Sequence, residues 1–98
     1  MTLIVAGTYR VEDLEGLRPH MACVVRASRD EQGCLEYAHA EDALEPGLIR
    51  VFEVWRDRAA LDAHFATAHM ANWREAWPQF GVSERRLIAY EVASQNPI

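Results

Sequence analysis

The sequence predicts an α+β domain in which four strands form one antiparallel sheet and helices cover a single face of it. Three observations predict this. The hydrophobic period changes along the chain in the order strand, helix, strand, strand, helix, strand. A Pro46-Gly47 turn signal joins the two middle strands into a hairpin. The first and third strands carry apolar side chains on both alternating faces, which implies burial from two sides.

Each element has its own signal. Leu3 to Arg10 places Leu3, Val5 and Tyr9 on one face and Ile4 and Ala6 on the other, as a strand does. From Asp13 the spacing becomes helical, with Leu14, Leu17, Met21, Val24, Val25 and Ser28 on one side. Pro19 interrupts that pattern, so a short turn over Asp13 to Leu17 and a main helix from Pro19 to Glu31 are expected, stopped by Gly33. Cys34 to Ala40 alternates with Leu35, Tyr37 and His39 on one face, and Leu48 to Arg56 forms the third strand. Asp57 is an N-cap for a helix that runs to about Trp77, with a break near Thr67, and Pro78 is expected to end it. Ser83 to Val92 closes the order as a fourth strand.

The β-α-β-β-α-β order is the ferredoxin-like split arrangement, a single domain over residues 1–98. Its helices leave one sheet face bare. Because that face is apolar, a second copy of the chain is the expected cover, giving a homodimer.

Composition narrows the function. A formal charge of -5 disfavours nucleic acid and anionic membrane as partners, since both reward clustered Lys and Arg. No apolar run approaches the roughly 20 residues of a membrane span. The segment Met1 to Gly7 lacks the charged start of a signal peptide, so a cytoplasmic location is the expectation. Cys23 and Cys34 are then expected to remain thiols, and they lack the CxxC spacing of a zinc site. Glycine-rich phosphate cradles and the GxSxG elbow are absent, so nothing points to a nucleotide, flavin or pyridoxal cofactor.

The candidate chemistry sits on the third strand and the helix after it. Ile49, Val51, Glu53 and Trp55 share one face, which makes Glu53 an acid among apolar neighbours. It is either paired with Arg50, Arg58 or Arg74 or placed in a pocket. His64 lies beside the core-facing stripe of Leu61 and Phe65, and His69 follows near the break. A structural account would have one histidine cap a carbonyl and the other face solvent. The HExxH spacing is missing, so a metal is not expected. Met70, Trp73 and Trp77 recur at helical spacing, as core or dimer-seam residues do.

An ordered set of short motifs runs through nearly the whole chain: Gly33-Cys34-Leu35-Glu36-Tyr37, Pro46-Gly47, Glu53-Val54-Trp55, Ala60-Leu61-Asp62-Ala63-His64 and His69-Met70. With these the sequence resembles the antibiotic biosynthesis monooxygenase family, which includes quinol monooxygenases. The resemblance implies a dimeric α/β barrel that oxidises a quinol or polycyclic phenol with O₂ without metal, flavin or haem. It also implies His64 and Glu53 as the candidate bases, with Tyr37, Trp55, Phe65 and Trp73 as pocket walls and His69 and Asn72 as orienting groups. Haem-degrading relatives carry an asparagine on the first strand, and Leu3 to Arg10 has none. A haem binder using His64 or His69, and a non-catalytic dimeric small-molecule-binding or stress-response module, are the alternative readings.

Overall fold

A computed structural model describes all residues, Met1–Ile98. Strand β1 (Leu3–Val11) is followed by helix α1 (Leu14–Arg29) and the hairpin of β2 (Cys34–Glu41) and β3 (Leu48–Trp55). Two helices come next, α2 (Arg58–Phe65) and α3 (Ala68–Phe80), and β4 (Val82–Glu91) completes the chain's regular structure. The strands lie in the order β2-β3-β1-β4, every pair antiparallel. The ferredoxin-like α+β arrangement is as expected, except that the helical cover comes in three pieces.

That extra division falls at Thr67. Its hydroxyl donates to the carbonyl oxygen of His64 at 2.8 Å and accepts from the backbone N–H of Met70 at 3.3 Å. One side chain thus closes α2 and opens α3, as Ser and Thr do when they compete with the helix ladder.

Neither proline acts as expected. α1 runs unbroken through Pro19, capped by Asp13 accepting from the N–H of Gly16 at 3.0 Å. α3 continues past Pro78 to Phe80 and stops at Gly81, which takes the left-handed conformation (φ 71°) that glycine adopts without strain. Pro19 and Pro78 are both exposed, so the carbonyl each leaves without an N–H partner is open to water, and the loss is confined to one bond. Leu35 also departs from expectation. The β2–β3 register slips between Cys34 and Glu36, which turns Leu35 outward to 62% exposure instead of aligning it with Tyr37 and His39.

The helices pack on one sheet face and bury two apolar clusters there. One joins Tyr9, Val11, Leu17, Val24, Ile49, Val51, Met70 and Trp73. The other joins Leu3, Val5, Tyr37, Trp55 and Leu61. The opposite face has no helix over it. Ala38, Phe52, Ala6 and Ile88 line up there across all four strands, with Val54, Ile4 and Tyr90 in the neighbouring register row. Phe52 and Tyr90 are left exposed on it.

The candidate active site

Strand register assembles the site floor. Glu53 stands directly opposite Tyr37 on one side and Val5 on the other, and Val5 in turn opposes Ala89. One row therefore carries Tyr37, Glu53, Val5 and Ala89 toward the helices. The next inward-facing row brings His39, Val51 and Leu87. α2 and α3 arch over these rows with His64, Phe65, Met70, Trp73 and Trp77, forming a partly open cavity of about 340 Å³. A volume of that size suits a small aromatic molecule.

Of the residues singled out in the sequence, Glu53, His64, Tyr37, Phe65 and Trp73 line this one cavity. Trp55 stands behind the wall, wholly buried, with its ring 4.6 Å from that of His64. His69 lies beside His64 but off the cavity lining, and Asn72 is exposed on α3.

Glu53 has no arginine partner. Arg50 bonds Asp42 at 2.7 Å, Arg58 bonds Asp62 at 3.2 Å, and Arg74 reaches the Phe65 carbonyl at 3.4 Å. Glu53 instead accepts the indole N–H of Trp55 at 2.9 Å. Burial pushes its carboxyl above the usual range, while the Trp55 N–H and the positive charge of Arg85 pull it partly back.

The histidines are arranged differently from the expected carbonyl cap and solvent-exposed ring. Both converge on Glu31, at the turn after α1: one of its carboxylate oxygens lies 2.6 Å from His64 Nδ1 and 2.8 Å from His69 Nε2. A carboxylate only accepts, so His64 carries its proton on Nδ1 and Nε2 keeps the lone pair. Desolvation holds His64 below its ordinary value, outweighing the opposing pull of Glu31, so the ring is neutral at pH 7. Glu31, His64 and His69 also bring their ligand atoms within 4.8 Å of one another, which is the one group on the chain able to hold a metal ion. At 2.6 and 2.8 Å the contacts are hydrogen bonds, and an ion would have to replace the shared protons.

Four contributors were not foreseen from the sequence. Glu31 is 33 positions from His64, and no local spacing announces their meeting. Tyr9 places its hydroxyl 2.9 Å from His39 Nδ1. Burial drives His39 down to about 4 and the Tyr9 and Tyr37 hydroxyls far up, so all three are uncharged at neutral pH. Arg85 reaches the cavity from β4 and packs over the Trp77 ring at 5.2 Å. The alternation of Tyr37 with His39 was the available signal for His39, and no local pattern singles out Arg85. Cys23 and Cys34 are free thiols, and burial pushes Cys34 up to about 11, away from reactivity.

The site thus holds a buried neutral imidazole, oriented by the carboxylate of Glu31 and opening on an aromatic-walled cavity. Residues 2–76 match the family described as Antibiotic biosynthesis monooxygenase. The chain belongs to that family. Among antibiotic biosynthesis monooxygenase structures, one from Deinococcus radiodurans superposes with a TM-score of 0.87 at 27% identity, covering 100% of this chain and 98% of that one. PA3566 from Pseudomonas aeruginosa gives 0.80 at 27% identity over 94% of each chain. The uncharacterized protein sll1783 of Synechocystis is 33% identical over 98% of this chain and 67% of its own.

Proposed function

We propose that this antibiotic biosynthesis monooxygenase family member oxidises a small quinol or phenol with O₂, with His64 as the base and no cofactor in the reaction. The observation that carries this reading is the Glu31–His64 pair. It presents an unprotonated Nε2 on a ring that lines the cavity. A phenolic hydroxyl that gives its proton to Nε2 becomes an electron-rich anion, able to pass electrons to O₂ inside a dry site. In the balanced monooxygenation of a phenol, one oxygen atom enters the ring to give the quinone and the other leaves as water. The neutral hydroxyls of Tyr9 and Tyr37, together with Trp73 and Phe65, form the aromatic surround. Glu53, with its raised carboxyl, serves as the second proton-handling group on the floor.

The test is oxygen consumption by the purified protein with a panel of quinols and polycyclic phenols, run with a chelator present. At least one substrate is expected to give uptake well above its spontaneous rate. Uptake no faster than the uncatalysed background across the panel overturns the reading.

The working unit in this reading is a homodimer that closes the bare sheet face. The apolar row Ala38, Phe52, Ala6 and Ile88 supports it, because contiguous apolar surface in water is costly. Sedimentation velocity at micromolar concentration is expected to give twice the chain mass of 11.2 kDa. Phe52→Asp, which buries an unpaired charge at the centre of the face, is expected to weaken the dimer roughly 100-fold or more. A monomeric wild-type protein removes the proposal.

A further inference from the structure

Charge on the cavity wall runs against the charge of the chain. The protein carries -5 overall, yet the cavity is lined by Arg58, Arg74 and Arg85 with Glu53 as the only carboxylate. Two of these cations are committed, Arg58 to Asp62 and Arg74 to the Phe65 carbonyl. Arg85 has no acceptor and rests on the face of Trp77.

Two side chains of the lining also hold unused polar atoms. Trp77 Nε1, which can only donate, is buried without an acceptor, and His39 Nε2 is buried without a partner as well. A Tyr9 hydroxyl that donates to His39 Nδ1 leaves the ring proton on Nε2, making it a second orphan donor. Buried N–H groups without acceptors are uncommon in folded proteins and call for an explanation. An acceptor-rich ligand group supplies one. Arg85 itself lines the cavity and is exposed, so a charged ligand group can reach it.

We propose that the ligand is an aromatic acid: a hydroxylated ring bearing a carboxylate that Arg85 binds, with Trp77 Nε1 and His39 Nε2 donating to its oxygens. This rests on the cavity being the substrate site, as the proposed function has it, and adds the substrate's charge. Arginine suits the task because its planar fork matches a carboxylate's two oxygens, and stacking on Trp77 fixes that plane in advance. The ring would then lie between Tyr37, Trp73 and Phe65, with its hydroxyl toward His64.

The test compares 1,4-dihydroxynaphthalene with its 2-carboxylate, titrated anaerobically into the protein while tryptophan fluorescence is followed, so that binding is read without turnover. The wild-type protein is expected to bind the carboxylate at least tenfold more tightly, with a preference that shrinks as salt is raised. Arg85→Gln is expected to abolish that preference, and Arg85→Lys to restore part of it. Equal affinities in the wild type, or a preference that survives Arg85→Gln, overturn the inference and leave the proposed oxidation standing. Failure of both ligands to bind saturably overturns the site and the inference together.

Discussion

His64→Gln is expected to lower turnover by roughly 10²–10⁴-fold, the span over which a positioned general base acts, while leaving KM little changed. The side chain is 1% exposed, so the conservative replacement is paired with circular dichroism to show that the fold persists. Its pH profile sharpens the assignment. Burial places the His64 pKa below 6.5, so the base form dominates at neutral pH. Activity should therefore hold its plateau through neutral pH and fall only on the acid side, below the ordinary histidine range, with a slope of one proton. Glu31→Ala removes both the hydrogen bond and the negative charge that raise His64, so the acid limb moves to still lower pH while the maximum rate falls, because the ring has lost the acceptor that fixes its tautomer. A merely structural Glu31 would lower stability without moving the limb. Turnover in His64→Gln equal to that of the wild type would exclude His64 as the base.

Much of this arrangement was legible because it follows from local periodicity. Alternation along Leu48–Trp55 was enough to put Glu53 on the buried face, and helical spacing placed His64, Phe65 and Trp73 near one side. What alternation could not do was rank neighbours. Trp55 shares the face of Glu53 but lies at the end of the strand, under His64, and so packs behind the cavity. Asn72 adjoins Trp73 in sequence, yet one helical step turns it away from the sheet. The prolines misled for a related reason. Their cost is a lost N–H and a clash, and on an exposed helix face, as at Pro19 with Glu15 and Pro78 with Arg74, water takes up part of that cost. The contacts that give the histidines their character were beyond reach of any local pattern: Glu31 meets His64 and His69 across 33 and 38 positions, and Tyr9 meets His39 across 30. Chain topology sets these pairs, and the register of β2, β3 and β1 had to be known first.

Trp55 is expected to matter to the fold more than any other single side chain. It is fully buried, holds His64 from below, meets Tyr37 edge-on at 6.3 Å and gives Glu53 its hydrogen bond. Trp55→Ala should cost about 3–5 kcal/mol through lost contacts and the void left behind. Because each kcal/mol moves Tm by roughly 4–8 °C in a domain of this size, calorimetry will resolve the loss easily. Trp55→Phe separates packing from the polar contact. It keeps most of the apolar volume but strips the N–H from a buried acid, a loss of about 1–3 kcal/mol. The sign of its pH dependence follows from Glu53. Burial already raises that carboxyl, and removing the N–H deletes a downward pull, so the folded-state value climbs further above the unfolded one. Such a group favours the folded state below its unfolded value, and that advantage fades as pH rises through the folded value. The deficit of Trp55→Phe should accordingly be small at pH 4 and grow toward neutrality, and Glu53→Gln placed on top should flatten it. A Trp55→Phe protein whose Tm deficit is the same at every pH would mean that the indole N–H does nothing for the charge state of Glu53, and that Trp55 serves the site by shape alone.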